Sequence, residues 1–153
     1  FSSFSKDEQI LDSSLKSQLV AGGFHEHFSN NLMSENYIKH FASGEPIQLK
    51  NPLSQEMAFI RNSILPGLLM AASYNEKRQE KEFKLFEIGA IHNYSKKTQT
   101  MTKEKFCLGL LWYGTPDLHW RHYINRDIFR CKGEIRQLLN TLGLKDIKFK
   151  TSK

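Results

Sequence analysis

The chain has 153 residues, 39% apolar and 25% charged, and its 22 basic and 16 acidic side chains leave a net charge of +6. That mix excludes a disordered polar chain, and a domain of roughly 150 residues buries about 68–70% of its unfolded surface without a disulfide or metal staple. One domain over residues 1–153 is therefore expected, and no apolar run approaches the roughly 18 residues that a membrane-spanning helix needs.

Ser5-Lys6-Asp7-Glu8 has capping-box form. Ile10, Leu11, Leu15, Leu19 and Val20 then recur at helical spacing up to Gly22-Gly23, which predicts a first helix and its end. Residues 24–32 are expected to form a strand, and residues 31–44 a loop or short helical turn. Ile47-Gln48-Leu49 reads as a short strand. Asn51-Pro52-Leu53-Ser54 is turn chemistry, because Pro52 fixes its own φ and pushes Asn51 out of helical space. Residues 57–77 are the densest structured stretch. Pro66 suits the first turn of a helix, and Leu65, Leu68, Leu69 and Ala72 form its expected apolar stripe. Residues 76–84 are charged and expected in solvent. The alternation from Phe83 to Ile88 predicts a strand running toward His92. Residues 106–113 are nearly continuously apolar, as expected of a central strand buried on both faces. Between them, residues 93–105 are rich in Ser, Thr and Lys and suit a hairpin loop. A last helix is expected after Asp127 as N-cap, with Ile128, Cys131, Ile135, Leu138, Leu139 and Leu142 buried and Gly143 at its end. Residues 147–150 alternate as a further strand. The order predicts an α+β fold, an antiparallel sheet with helices packed on it.

The start at Phe1, without a basic-then-apolar leader, predicts a piece of a longer protein. Cys107 and Cys131 have no CxxC spacing and lie in apolar contexts, which predicts inert thiols and a reducing cytoplasm. The positive excess favours anionic partners such as RNA and is also an ordinary solubility charge. His25 and His27 share one face of a strand, but a zinc site needs further ligands, and none stands nearby. The run His119-Trp120-Arg121-His122-Tyr123 interleaves cations and rings. Trp120, Arg121, His122 and Tyr123 either contact RNA or close the edge of a core. Arg61 either holds a phosphate or is a buried arginine bonded to carbonyls or a carboxylate. Glu87, with no second carboxylate near it in sequence, is expected to partner Arg61 or backbone N–H groups rather than act as a base. No GxGxxG, GxxxxGK[ST] or GxSxG spacing occurs, so no catalytic, cofactor-binding or metal-ligating residue is predicted.

Longer segments carry more. Asn51-Pro52-Leu53-Ser54-Gln55-Glu56-Met57, Arg61-Asn62-Ser63-Ile64-Leu65-Pro66-Gly67-Leu68-Leu69, Asn75, and Leu85-Phe86-Glu87-Ile88-Gly89 resemble the β chain of bacterial-type phenylalanyl-tRNA synthetase, whose pattern reads NPLSxEMxxxRxSLLPGLL, Asn and LFEIG. Leu19-Val20-Ala21-Gly22-Gly23-Phe24-His25-Glu26 is similar to LVxxGFxEV. Asp127-Ile128-Phe129-Arg130-Cys131-Lys132-Gly133 is similar to DFFDLKG.

The resemblance implies a class II synthetase-like antiparallel sheet flanked by helices, the catalytic-like core module of the β chain. It implies a heterotetramer of two α and two β chains that joins phenylalanine to its tRNA with ATP and Mg²⁺, the chemistry belonging to the α chain. The module itself would bind no cofactor and would support assembly. Class II chemistry needs an arginine on the strand of its second motif, and Phe86 to His92 contains none. The third motif would lie beyond Lys153. Departures from the pattern are Ala90 for a common Arg, Asn62 for Thr, Arg130 for an acidic residue and Cys131 for Leu. Two other functions remain open at this point. One is a stand-alone RNA-binding domain using a basic and aromatic surface. The other is a small adenylate-forming relative, against which the missing arginine argues.

Overall fold

Residues 82–114 fold back on themselves as one long hairpin. The computed structural model describes residues 6–41, 44–114, 117–118, 123–124, 128–144 and 146–149. In chain order the elements are α1 (Lys6–Ala21), β1 (His25–Glu26), β2 (Leu32–Met33), α2 (Glu35–Phe41), β3 (Ile47–Gln48), a 3₁₀ turn (Gln55–Met57) and β4 (Phe59–Ile60). Then come α3 (Leu65–Lys77), β5 (Glu82–Tyr94), β6 (Thr102–Gly114), β7 (Asp117–Leu118), β8 (Tyr123–Ile124) and α4 (Ile128–Thr141). β5 and β6 pair antiparallel from Glu82↔Gly114 to Tyr94↔Thr102. β1 adds in parallel on the far edge of β5, with His25 opposite Leu85.

Strand alternation divides the hairpin between two cores. Leu85 and Ile91, with Phe83, Cys107 and Leu111, pack on Ile64 and Leu68 beside α3. Phe86, with Ile88, Leu108, Leu110 and Trp112, faces the other way onto Leu15 and Leu19 of α1, Phe24, and Leu138 of α4. Phe86 and Leu68 are fully buried, each burial contributing about 1.5–3 kcal/mol. Gly109 lets α3 approach, because a Cβ there would lie 2.8 Å from Leu68 Cδ1 and 2.9 Å from Ile64 Cγ2. Both α1 and α4 end in a Schellman motif, with Gly23 and Gly143 at φ +81°. In each, the next amide reaches back five residues at 3.0 Å, Phe24 to Leu19 and Leu144 to Leu139.

A second, smaller antiparallel sheet has the order β2-β4-β3. Its core is Met33, Ala58 and Phe59 with Ile38 of α2. Backbone bonds tie it to the hairpin: His92 N–H donates to the Arg61 carbonyl and Tyr94 N–H to the Glu45 carbonyl, each at 3.0 Å. Among the described residues no helix is long and apolar enough to cross a membrane.

Several expectations are corrected. Residues 24–32 are not one strand: β1 and β2 are two-residue strands in different sheets, joined by an irregular loop whose Phe28 is exposed. Residues 31–44 contain β2 and the seven-residue α2. The hairpin loop is shorter than residues 93–105, since pairing runs to Tyr94 and resumes at Thr102. β6 is an edge strand among the described residues, and β5 is the central one. On α3 the inward face is Pro66, Gly67, Leu68 and Ala72, while Leu65 and Leu69 point outward. Ile128 is exposed, and α4 has no fully buried residue, because it covers the sheet at its margin. Residues 147–149 form no strand. Ser5 and Asp127, the expected caps, lie outside the described residues.

Candidate functional site

Arg61 follows β4 directly, and Glu87 stands mid-strand on the α3 side of β5. The two meet as a buried ion pair with side-chain exposures of 4% and 2%. Arg61 Nη1 donates to Glu87 Oε1 and, at 2.8 Å, to Ser29 Oγ. Arg61 Nε donates to the Ala90 carbonyl at 2.9 Å. Ser29 Oγ lies 2.9 and 2.7 Å from the two Glu87 oxygens, and Ser29 N–H donates to Oε1 at 3.3 Å. Burying both charges costs several kcal/mol per ion unless such partners are in place. The pair therefore works as a lock that joins the 27–31 loop, β4 and β5.

Two glycines make room for it. A Cβ at Gly67 would lie 2.4 Å from Ser29 Cβ, and one at Gly89 would lie 2.2 Å from Arg61 Nη2. Arg61, Gly67, Glu87 and Gly89, far apart in sequence, are thus one construction. Ser29 completes it, and sequence reasoning missed this residue because no spacing connects position 29 to 61 or 87.

The other residues of the resemblance lie elsewhere. Asn51, Pro52 and Leu53 are exposed, Leu53 at 94%. Ser54 starts the 3₁₀ turn by accepting from Met57 N–H at 3.1 Å. Met57 stands at the mouth of an open cleft of about 500 Å³ beside Phe28, Tyr37 and Met70. Leu65 is exposed, whereas Pro66 and Leu68 are buried beneath α3. Asn75 ends α3: Nδ2 donates to the Ala71 carbonyl at 2.9 Å, and its own carbonyl accepts from Arg78 and Glu80. Phe86 faces the α1 side. Lys132 Nζ stands 5.9 Å from the Phe129 ring and 5.7 Å from that of Phe149, and Gly133 has open space beside it.

His25 is exposed and His27 half-buried, and among the described residues no group of three His, Cys, Asp or Glu side chains is placed to hold a metal. Trp120, Arg121 and His122 lie outside the described residues, as does the side chain of Tyr123.

A second polar cluster, on the other face, fastens α4. Glu134 Oε2 accepts from Trp112 Nε1 at 2.9 Å and from Lys84 Nζ at 3.1 Å, and Arg130 Nε is 3.7 Å from Oε1. Burial pushes the Glu134 carboxyl up, but the bonds from Trp112 and Lys84 and the charges of Lys84 and Arg130 outweigh it, holding it below the ordinary value.

This architecture defines a class. Two solved structures of pyrrolysyl-tRNA synthetase from Desulfitobacterium hafniense superpose with TM-scores of 0.68 at 20% identity, covering 92% of this chain and 46% or 48% of theirs. The fold is the class II synthetase catalytic-like fold. Residues 3–153 match the family described as the phenylalanyl tRNA synthetase beta chain CLM domain, and the chain belongs to that family. Among curated relatives, the phenylalanine–tRNA ligase beta subunit of Buchnera aphidicola is 30% identical over 162 residues, spanning all of this chain and 20% of that protein. The beta subunit of Francisella tularensis is 28% identical over 140 residues, covering 90% of the chain and 17% of that subunit. The chain thus spans about a fifth of these relatives' length.

The residues present do not fit ATP with Mg²⁺. β5 has no arginine from Glu82 to Tyr94, and the buried cation beside it, Arg61, is neutralised by Glu87 and capped by Ser29 and Ala90. A triphosphate at this pair would have to displace a carboxylate already bonded to the guanidinium.

Proposed function

We propose that the chain is a non-catalytic, class II synthetase-like assembly module of a phenylalanine–tRNA ligase β chain. In this reading it packs against the α chain in a tetramer of two α and two β chains in the cytoplasm. The α chain carries the ATP- and Mg²⁺-dependent attachment of phenylalanine to tRNA. The observation that carries the reading is the Arg61–Glu87–Ser29 lock: the cation beside β5 is bonded for architecture and left unable to take a phosphate. Membership of the beta chain family supplies the partner.

The test has two arms. Phenylalanine- and ATP-dependent pyrophosphate exchange is expected to be absent from the β chain alone and present once the α chain is added. Light scattering on gel-filtered mixtures is expected to give one heavier species of defined stoichiometry. Exchange by the β chain alone, or two peaks that never merge, would overturn the reading.

A further inference from the structure

The β5–β6 hairpin ends in a tip whose backbone is tied while its cations are not. Ser95 N–H donates to the Met101 carbonyl at 2.9 Å and Met101 N–H to the Thr98 carbonyl at 3.0 Å. Thr98 Oγ1 donates to the Thr102 carbonyl at 2.9 Å. On this frame Lys96 and Lys97 stand in the turn, and Lys103 and Lys105 stand on β6, all four exposed. Residues 90–106 hold these four lysines against one carboxylate, Glu104, so half of the chain's +6 sits here. Alternation puts Glu104 on the face opposite Lys103 and Lys105. Among the described residues these four lysines make no ion pair and no ring contact. Lys16, Lys39, Arg61 and Lys84, by contrast, are each neutralised by a carboxylate.

We propose that this tip is a contact surface for the phosphodiester backbone of RNA, made by Lys96, Lys97, Lys103 and Lys105. Lys103 and Lys105 project from one face about 6.8 Å apart, on the order of the spacing between successive phosphates of a strand. An ammonium is a compact point charge with three rotatable donors, suited to phosphate oxygens and indifferent to base identity. A protein partner fits less well. Lysine is depleted from protein interfaces, which are built on aromatic and arginine anchors, and in the turn itself, residues 95–101, Met101 is the one large apolar side chain. The proposal goes beyond the assembly reading and does not need it, since the lysines stand on the hairpin and the lock does not involve them.

The experiment uses the β chain in complex with its α chain, wild type and with Lys96→Gln, Lys97→Gln, Lys103→Gln and Lys105→Gln combined. Each is titrated with a tRNA transcript and with an unrelated stem-loop RNA, from about 50 to 200 mM salt. The quadruple variant is expected to bind both RNAs at least tenfold more weakly at the low-salt end. Its slope of log affinity against log salt is expected to be shallower by about 3, one counterion release lost per lysine. Four Lys→Arg replacements are expected to restore the slope. An unchanged slope would overturn the proposal. So would a loss confined to one RNA, which would mean base readout, or a variant that sheds the α chain while keeping the slope, which would mean a protein contact. If wild-type β does not join α, the assembly reading fails separately, and the same titration on β alone decides the RNA contact.

Discussion

Gly67 and Gly89 show the competition between backbone preference and packing most plainly. A helical glycine normally costs about 1 kcal/mol relative to alanine, so Gly→Ala inside a helix should stabilise. Gly133 in α4, with open space where its Cβ would go, is expected to follow that rule, and Gly133→Ala should gain up to about 1 kcal/mol. Gly67 in α3 should behave oppositely. The new methyl would lie 2.4 Å from Ser29 Cβ, an atom too close to the backbone to move alone. Making room means shifting the 27–31 loop and loosening Ser29 from Glu87, so Gly67→Ala is expected to lose about 1–3 kcal/mol. Urea unfolding midpoints of the two variants check the contrast, and equal shifts would mean that the lock yields freely. The Arg61–Glu87 partnership was legible in the sequence, because a glutamate inside an apolar strand needs a cation or amides. Ser29 was not, since nothing local marks a serine that closes a bond network 58 residues away.

At the scale of elements, long periodic segments were readable and short ones were not. β5 and β6 declared themselves through alternation and an apolar run, but β2, β3 and β4 are two residues each and carry no period. The stripe on α3 was half misread because Leu65 and Leu69 fit the helical spacing, whereas the sheet selects the face holding Gly67 and Leu68. α4 illustrates a different dependence, in which a marginally buried helix relies on polar fastening. The Glu134 carboxyl is held below its ordinary value of 4.5 in the folded chain. A depressed carboxylate contributes stability that is present above the unfolded value and lost as pH falls through the folded one. The contacts of α4 with the sheet are therefore expected to weaken as pH drops below about 4.5. Trp112 emission in a Trp120→Phe background reads this, because Trp112 donates to Glu134 and meets Phe24 edge-on at 5.2 Å. Glu134→Gln should remove this acid-dependent step, and a transition left unchanged would assign it to other carboxylates.

For the whole molecule the question is what makes two sheets with separate cores act together. Met33, Ile38, Ala58 and Phe59 form a core that shares no residue with the hairpin's two clusters. The sequence resemblance signalled the overall class, because its segments follow the family order along the chain. It did not signal the division into two sheets, which depends on where the loop after β1 turns. The connections are few: two backbone bonds from β5 to the Arg61 and Glu45 carbonyls, one from Arg61 N–H to the Asn31 carbonyl at 2.8 Å, and the lock itself. Removing one partner of a buried pair costs about 3–5 kcal/mol, since the other charge is left without compensation. In Arg61→Leu that cost should fall on the junction. The β2-β4-β3 sheet should then open independently of the hairpin, as local cooperative units do when the contacts joining them are lost. Amide exchange at Met33 and Phe59 is expected to accelerate by roughly a hundredfold, while Ile88 and Leu108 at the centre of the hairpin change much less. Equal acceleration at both places would show that the lock stabilises the whole fold uniformly. No acceleration at either would show that the backbone bonds alone hold the two sheets together.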